Sequence, residues 1–187
     1  GLHARNYSNP SLQDNVILGN AGGGIRLELT SAPAMSDNTI WGNGGYAVYM
    51  DASCYPSLSN TTAHYNINNG VRVSGAVAFN QTWYPDLAYV IEGTLTISAG
   101  AGLTLLPGTV VKFKDTSSTL DVNGALIADG TVDAPIVFTS LRDDADGGDT
   151  NNDGGTTWPG AGDWRRIAFA DSSDDSRCVL DYAQVRY

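Results

Sequence analysis

At 187 residues the chain is long enough for one domain with a sizeable core and too short for several. A formal charge of −10, with Lys112 and Lys114 as the only lysines, argues against nucleic acid or an anionic membrane surface as partner and makes cations the matching counter-charge. Twenty-two glycines and uniformly short apolar runs leave little room for helices and none for a membrane-spanning helix.

From Pro10 to Phe79 the chain matches itself at a spacing of 23 residues. Pro10, Pro33 and Pro56 share one column; Leu12, Met35 and Leu58 share another; Asn20, Asn43 and Asn66 a third. Ile25, Val48 and Val71 follow, then Leu27, Met50 and Val73, and Gly1-Leu2-His3 is already in phase with the third segment of a unit. A spacing held over successive copies marks a repeat architecture, in which each unit buries its apolar face only by stacking on a neighbour.

Each unit alternates short apolar or β-branched segments (Val16-Ile17-Leu18, Ile25-Arg26-Leu27, Thr39-Ile40-Trp41, Val48-Tyr49-Met50, Val71-Arg72-Val73) with Asn/Gly clusters. Three short strands and three turns fit such a unit, and in-register stacking gives parallel sheets about 4.8 Å apart. The period of two points Leu12, Ile17, Ile25, Leu27 and their equivalents inward and Arg26, Tyr49 and Arg72 outward. The asparagine column sits at the turn after the second strand, where stacked amides can bond one another and the turn backbone.

Residues 80–88, with Trp83, Tyr84 and Pro85, break the repeat and read as a loop, or as packing against a side of the helix, between two blocks, 1–79 and 89–187. Strands resume at Leu95-Thr96-Ile97, Leu103-Thr104-Leu105, Val110 to Phe113, Leu120-Asp121-Val122, Leu126-Ile127 and Ile136-Val137-Phe138, and again at Trp164 to Phe169 and Val179 to Tyr187. Cys54 and Cys178 are far apart in sequence and are expected as two unpaired buried thiols.

The segments "DNTIWGNGGYAVYM" (37–50), "YVIEGTLTISAGAGLTLLPGTVVKF" and "LDVNGALIADGTVDAPIVFTS" resemble right-handed parallel β-helix proteins, among them large secreted bacterial surface proteins of the pectate-lyase-like superfamily. The resemblance implies an all-β, single-stranded right-handed parallel β-helix (β-solenoid) and an extracellular or cell-surface setting, and dividing the length by the 23-residue unit gives about eight coils. It carries no single function, because that fold serves lyases, hydrolases, adhesins and phage spikes alike.

An acidic insert, 141–163, interrupts the second block. Asp143, Asp144, Asp146, Asp149, Asn151 and Asp153 crowd into it, and Asp149-Thr-Asn151-Asn-Asp153-Gly154 reproduces the opening of a calcium loop, where alternate side chains aim oxygens at one centre. The closing glutamate is missing, since Gly160 stands at the twelfth position, so Asp163 or backbone carbonyls would complete the shell. Hard oxygen donors without His or Cys indicate calcium as the cofactor. The "DD…GGDTN.DG" pattern of the insert resembles the same surface proteins.

Support for catalysis is thinner. The outward column His3, Arg26, Tyr49, Arg72, and the column Leu18, Trp41, His64, are the candidate faces, and both read first as surface stacking. Trp41, Tyr46, Tyr49, Tyr55 and Tyr65 could stack on sugars. The expected role is a non-catalytic structural or adhesive β-helix, with polysaccharide binding or lyase-like cleavage as the alternative. The strand-like run Val179 to Tyr187 ends without a polar cap, so the expected partners are copies of the chain stacked end to end, or further coils of a longer β-helix.

Overall fold

A computed structural model describes all residues, 1–187, as twenty β-strands with no helix. All strand pairs are parallel, and the principal sheet runs through β1 (Leu2–Ala4), β4 (Ile25–Leu27), β7 (Tyr46–Asp51), β10 (Asn68–Val77), β12 (Tyr89–Ile97), β14 (Val110–Phe113), β17 (Ile136–Ser140) and β20 (Ala183–Val185). In the first block two further sheets complete the coil: β2 (Ser11–Gln13), β5 (Ala34–Ser36) and β8 (Ser57–Ser59), and β3 (Val16–Leu18), β6 (Thr39–Trp41) and β9 (Thr62–His64). The fold is a parallel β-helix.

The register explains the repeat. Leu2 pairs with Ile25, Ile25 with Val48 and Val48 with Val71, so each column residue sits on its equivalent one coil away. Side chains at odd and even positions then separate by face: Ile25, Leu27, Ile40, Val48, Met50 and Val73 are buried, while Arg26 is exposed and Tyr49 and Arg72 are half-buried. Asp14, Asp37 and Asn60 form a second-order column, each in the left-handed region at φ 55°, 55° and 49°, at the corner between adjacent sheets. Short polar side chains tolerate that conformation best after glycine.

Beyond the third full coil the cross-section changes. The partners of β10 jump from Val73↔Ile91 to Gly75↔Leu95, and at this irregularity the sheet forks. Gly75 and Gly93 supply the positive φ (102° and 72°) that the fork requires. The first half of β12 continues to β14, β17 and β20; its second half continues to β15 (Thr119–Val122) and β18 (Arg166–Phe169). A separate sheet of β11 (Gln81–Trp83), β13 (Gly102–Leu105), β16 (Ala125–Asp129) and β19 (Val179–Asp181) closes the tube. The strands expected after residue 88 are present.

The expected loop at 80–88 is corrected: it contains β11, and Trp83 points into the core, 2 % exposed, with its ring stacked on Tyr89 at 4.1 Å. Complete turns are fewer than the expected eight, because the later coils lengthen; Phe138 meets Val185 only after the whole acidic insert. Both cysteines are unpaired; Cys54 is buried and Cys178 is half-buried. Burial pushes the Cys54 thiol up to about 11.

Candidate functional site

The asparagine column forms a bonded spine. Asn20 donates its backbone N–H and side-chain amide to Oδ1 of Asn43 at 3.0 and 2.8 Å, and Asn43 does the same to Asn66 at 3.0 and 2.8 Å. Asn66 hands on to Oδ1 of Asn69, and Asn69 donates to the carbonyl of Asp149 at 3.0 Å through its side chain and to that of Thr150 at 2.7 Å through its backbone. The spine thus ends on the acidic insert. A shorter parallel spine joins Asn15 to Asn38 and stops where Thr61 takes the third place in the column.

The insert lies across the outer face of the principal sheet. Lys112 points outward between the buried Val111 and Phe113, yet it is fully covered, because the insert closes over it. Its Nζ donates to the carbonyls of Asp143 (2.7 Å) and Gly148 (2.8 Å). Burial lowers its pKa to about 8, opposed by the nearby carboxylates, Asp144 first. Sequence reasoning missed this lysine; the available signal was a rare cation on an outward strand position in an acidic chain.

The candidate metal ligands divide. Asp144, Asp149 and Asp153 come together, each offering an oxygen within 4.8 Å of the others. Asp149 Oδ1 accepts from the Asp153 N–H and its Oδ2 from the Gly154 N–H, both at 2.9 Å, while Asp153 Oδ1 accepts from the Gly155 and Thr156 N–H groups. Those bonds fix the loop around the carboxylates. Oδ1 of Asp144 and Oδ1 of Asn151 are buried without a hydrogen-bond partner, and burial, then the charges of Asp149 and Asp153, push the Asp144 pKa up. Asn151 keeps its amide on Asp153 at 2.8 Å.

The remaining candidates are held elsewhere. Asp143 accepts from the Thr139 hydroxyl at 2.7 Å, Asp146 pairs with Arg186, and Asp163 accepts from Ser140, Arg142 and the Gly160 N–H. Each is neutralised or hydrogen-bonded within the tube wall.

The outward column is also internally matched. The Arg26 and Arg72 guanidinium groups lie 4.4 and 4.7 Å from the Tyr49 ring centre. Glu28 takes Arg26 and His3, and Glu92 takes Arg72 and Lys114. Burial raises the Glu92 pKa, and the two cations outweigh it, holding the carboxyl below its ordinary value. This face is a ladder of charges bonded to one another.

Beside the insert lies a cleft of about 510 Å³, walled by the end of β9, by Pro85 to Ala88, and by Gly147 to Asp149. Tyr65 lines it, with Trp41 packed edge-on at 5.5 Å.

Residues 1–82 match the family model described as right handed beta helix region. No curated protein and no solved structure matches the chain.

Proposed function

We propose, from the premise that this chain is a right-handed parallel β-helix repeat protein, that it serves as a non-catalytic structural or adhesive module of an extracellular or cell-surface protein, with calcium held by its acidic insert. The observation that carries the calcium reading is the convergence of Asp144, Asp149 and Asp153, with buried acceptors on Asp144 and on nearby Asn151 left without a partner. Three carboxylates at that separation repel one another, and the Lys112 charge, whose two hydrogen bonds go to backbone carbonyls and not to these carboxylates, offsets only part of that repulsion. A hard divalent cation with oxygen ligands answers both the charge and the open acceptors. Sites of this kind bind at up to millimolar calcium, the regime of extracellular modules.

The same reading has the tube continued at its C-terminal face by a further coil, from a second copy or from a longer β-helix. Phe169, Leu180 and Val185 are 46, 45 and 55 % exposed, although they stand in register with Val122, Ala128 and Phe138, all fully buried one coil earlier. An inward-facing apolar column in water favours a cover of the same cross-section.

The calcium reading is tested by thermal unfolding and calorimetry. Calcium should raise the melting temperature and chelator lower it, with about 2.7 kcal/mol of added stability at a hundredfold excess over the dissociation constant. The double change Asp149→Ala with Asp153→Ala should abolish the response. Absence of heat and of any melting shift at millimolar calcium would leave the insert as a solvated acidic loop.

A further inference from the structure

The two places where the chain abandons its repeat, the crossing at Pro85 to Ala88 and the insert at Gly147 to Asp149, both line the cleft, and Gly147 packs against Ala88 and Val110. Its third wall is the end of the last regular coil, and there the backbone departs from its own pattern. The corner that follows the second strand is glycine in the two preceding coils, Gly19 and Gly42, at φ 66° and 62°. In the third coil the same left-handed corner is Tyr65, at φ 57°. A bulky side chain in that region is a local cost that the rest of the coil must offset. The ring so placed is 68 % exposed, lies over the cleft and is braced edge-on by Trp41.

The lining is acidic on balance. Asp86 and Asp149 contribute carboxylates, His64 is its one basic side chain, no lysine or arginine lines it, and neither aspartate belongs to an ion pair. Pro85, Leu87 and Val110 supply apolar surface between them. Lys112 is near but sealed under the insert, donating to the Asp143 and Gly148 carbonyls. A π-face, carboxylates and a short apolar floor together select an organic cation over an anion or a neutral polar molecule.

We infer that this cleft binds an alkylammonium group on an apolar stem, as carried by a lysine side chain or a free diamine. The ammonium sits against Asp86 with Tyr65 over it, and the methylenes lie on Leu87 and Val110. Asp149 borders both this cleft and the calcium group, whereas Asp86 and Tyr65 lie outside the Asp144, Asp149, Asp153 group, so changes at those two positions test the cleft alone.

The test is calorimetric titration of the whole 187-residue protein in calcium-free buffer with cadaverine and with Nα-acetyl-lysine N-methylamide, using 1,5-pentanediol and cellobiose as uncharged controls. Both amines should saturate one site, and the controls should not bind. Tyr65→Gly restores the residue that the corner ordinarily holds, so it should fold at least as stably as the parent while weakening amine binding about tenfold or more. Asp86→Asn should weaken it by a similar factor. Tighter binding of cadaverine supports the inference with a free amine as source; tighter binding of the lysine amide supports it with a polypeptide lysine as source. No saturable amine binding, amine binding unchanged in both variants, or equal binding of the uncharged controls overturns it.

Discussion

Asn43 is the residue on which most of the first block's internal polar bonding converges. It is 2 % exposed, receives two donors from Asn20, gives two to Asn66 and returns one to the Ile17 carbonyl at 3.0 Å. Asn43→Ala removes the acceptor of two Asn20 bonds and the donor to the Ile17 carbonyl, three bonds at about 1 kcal/mol each, so we expect a loss of about 3 kcal/mol in urea unfolding. Asn20→Ala, at the wetter end, should cost under about 1 kcal/mol by the same accounting. Equal midpoints for the two variants would mean that the spine contributes nothing beyond ordinary turn asparagines. The column was legible in the sequence because in-register stacking imposes one chemical demand at one position of every coil. Asn69 was not, since its partner is Asp149, and a bond across that separation leaves no periodic trace. The Asn15 and Asn38 pair was hidden for a related reason, as Thr61 breaks the column after two members.

Among the elements, the strands were readable wherever alternation of burial made them so, and the exception is instructive. The stretch 80–88 carries Trp83, Tyr84 and Pro85, a composition that suggests a loop, yet β11 forms there because Trp83 has an interior to fill and Tyr89 to stack on. That burial rests on strand pairing between β11 and β13, a contact that local composition does not show. The insert poses the same difficulty: its acidity was plain, but which carboxylates converge depends on how Lys112 and Asn69 pin the loop to the wall. Replacing the pin with Lys112→Met should leave the strands intact and free the insert. Limited proteolysis should then cut within 141–163 faster than in the parent, while far-ultraviolet circular dichroism stays unchanged. The pH dependence separates this from simple loosening. The Lys112 pKa is lowered to about 8 in the fold, against about 10.4 for an unfolded lysine, so the unfolded chain holds more protons between those values. Parent stability relative to Lys112→Met should therefore rise with pH from about 8 to about 10; a flat difference would contradict the buried, charged lysine described here.

At the scale of the molecule, the tube is unequal at its two ends of construction: a uniform block of coils, then a forked block whose final coil presents Phe169, Leu180 and Val185 to water. If a further coil of the same kind covers that face, purified protein should gain mass with concentration in sedimentation, and Leu180→Glu with Val185→Glu should suppress the gain. Those sites are already exposed, so the double variant should keep its melting temperature within a few degrees. A single unchanging mass at every concentration, in the parent, would remove the second-copy form of the proposal and leave only a covering coil from a longer chain.

The spine that runs from Asn20 through Asn43 and Asn66 to Asn69 has a direction, and its last acceptors lie 80 residues further along the chain from Asn69. A ribosome therefore releases the donors long before the carbonyls that receive them. The early coils can assemble as they emerge, by local pairing, but the edge of the third coil keeps two amide donors open until residues 149 and 150 arrive. Closure of the insert is then a late, long-range step in the birth of the molecule, slow by the entropy of bringing distant segments together, and it completes the outer wall of the cleft at the same moment.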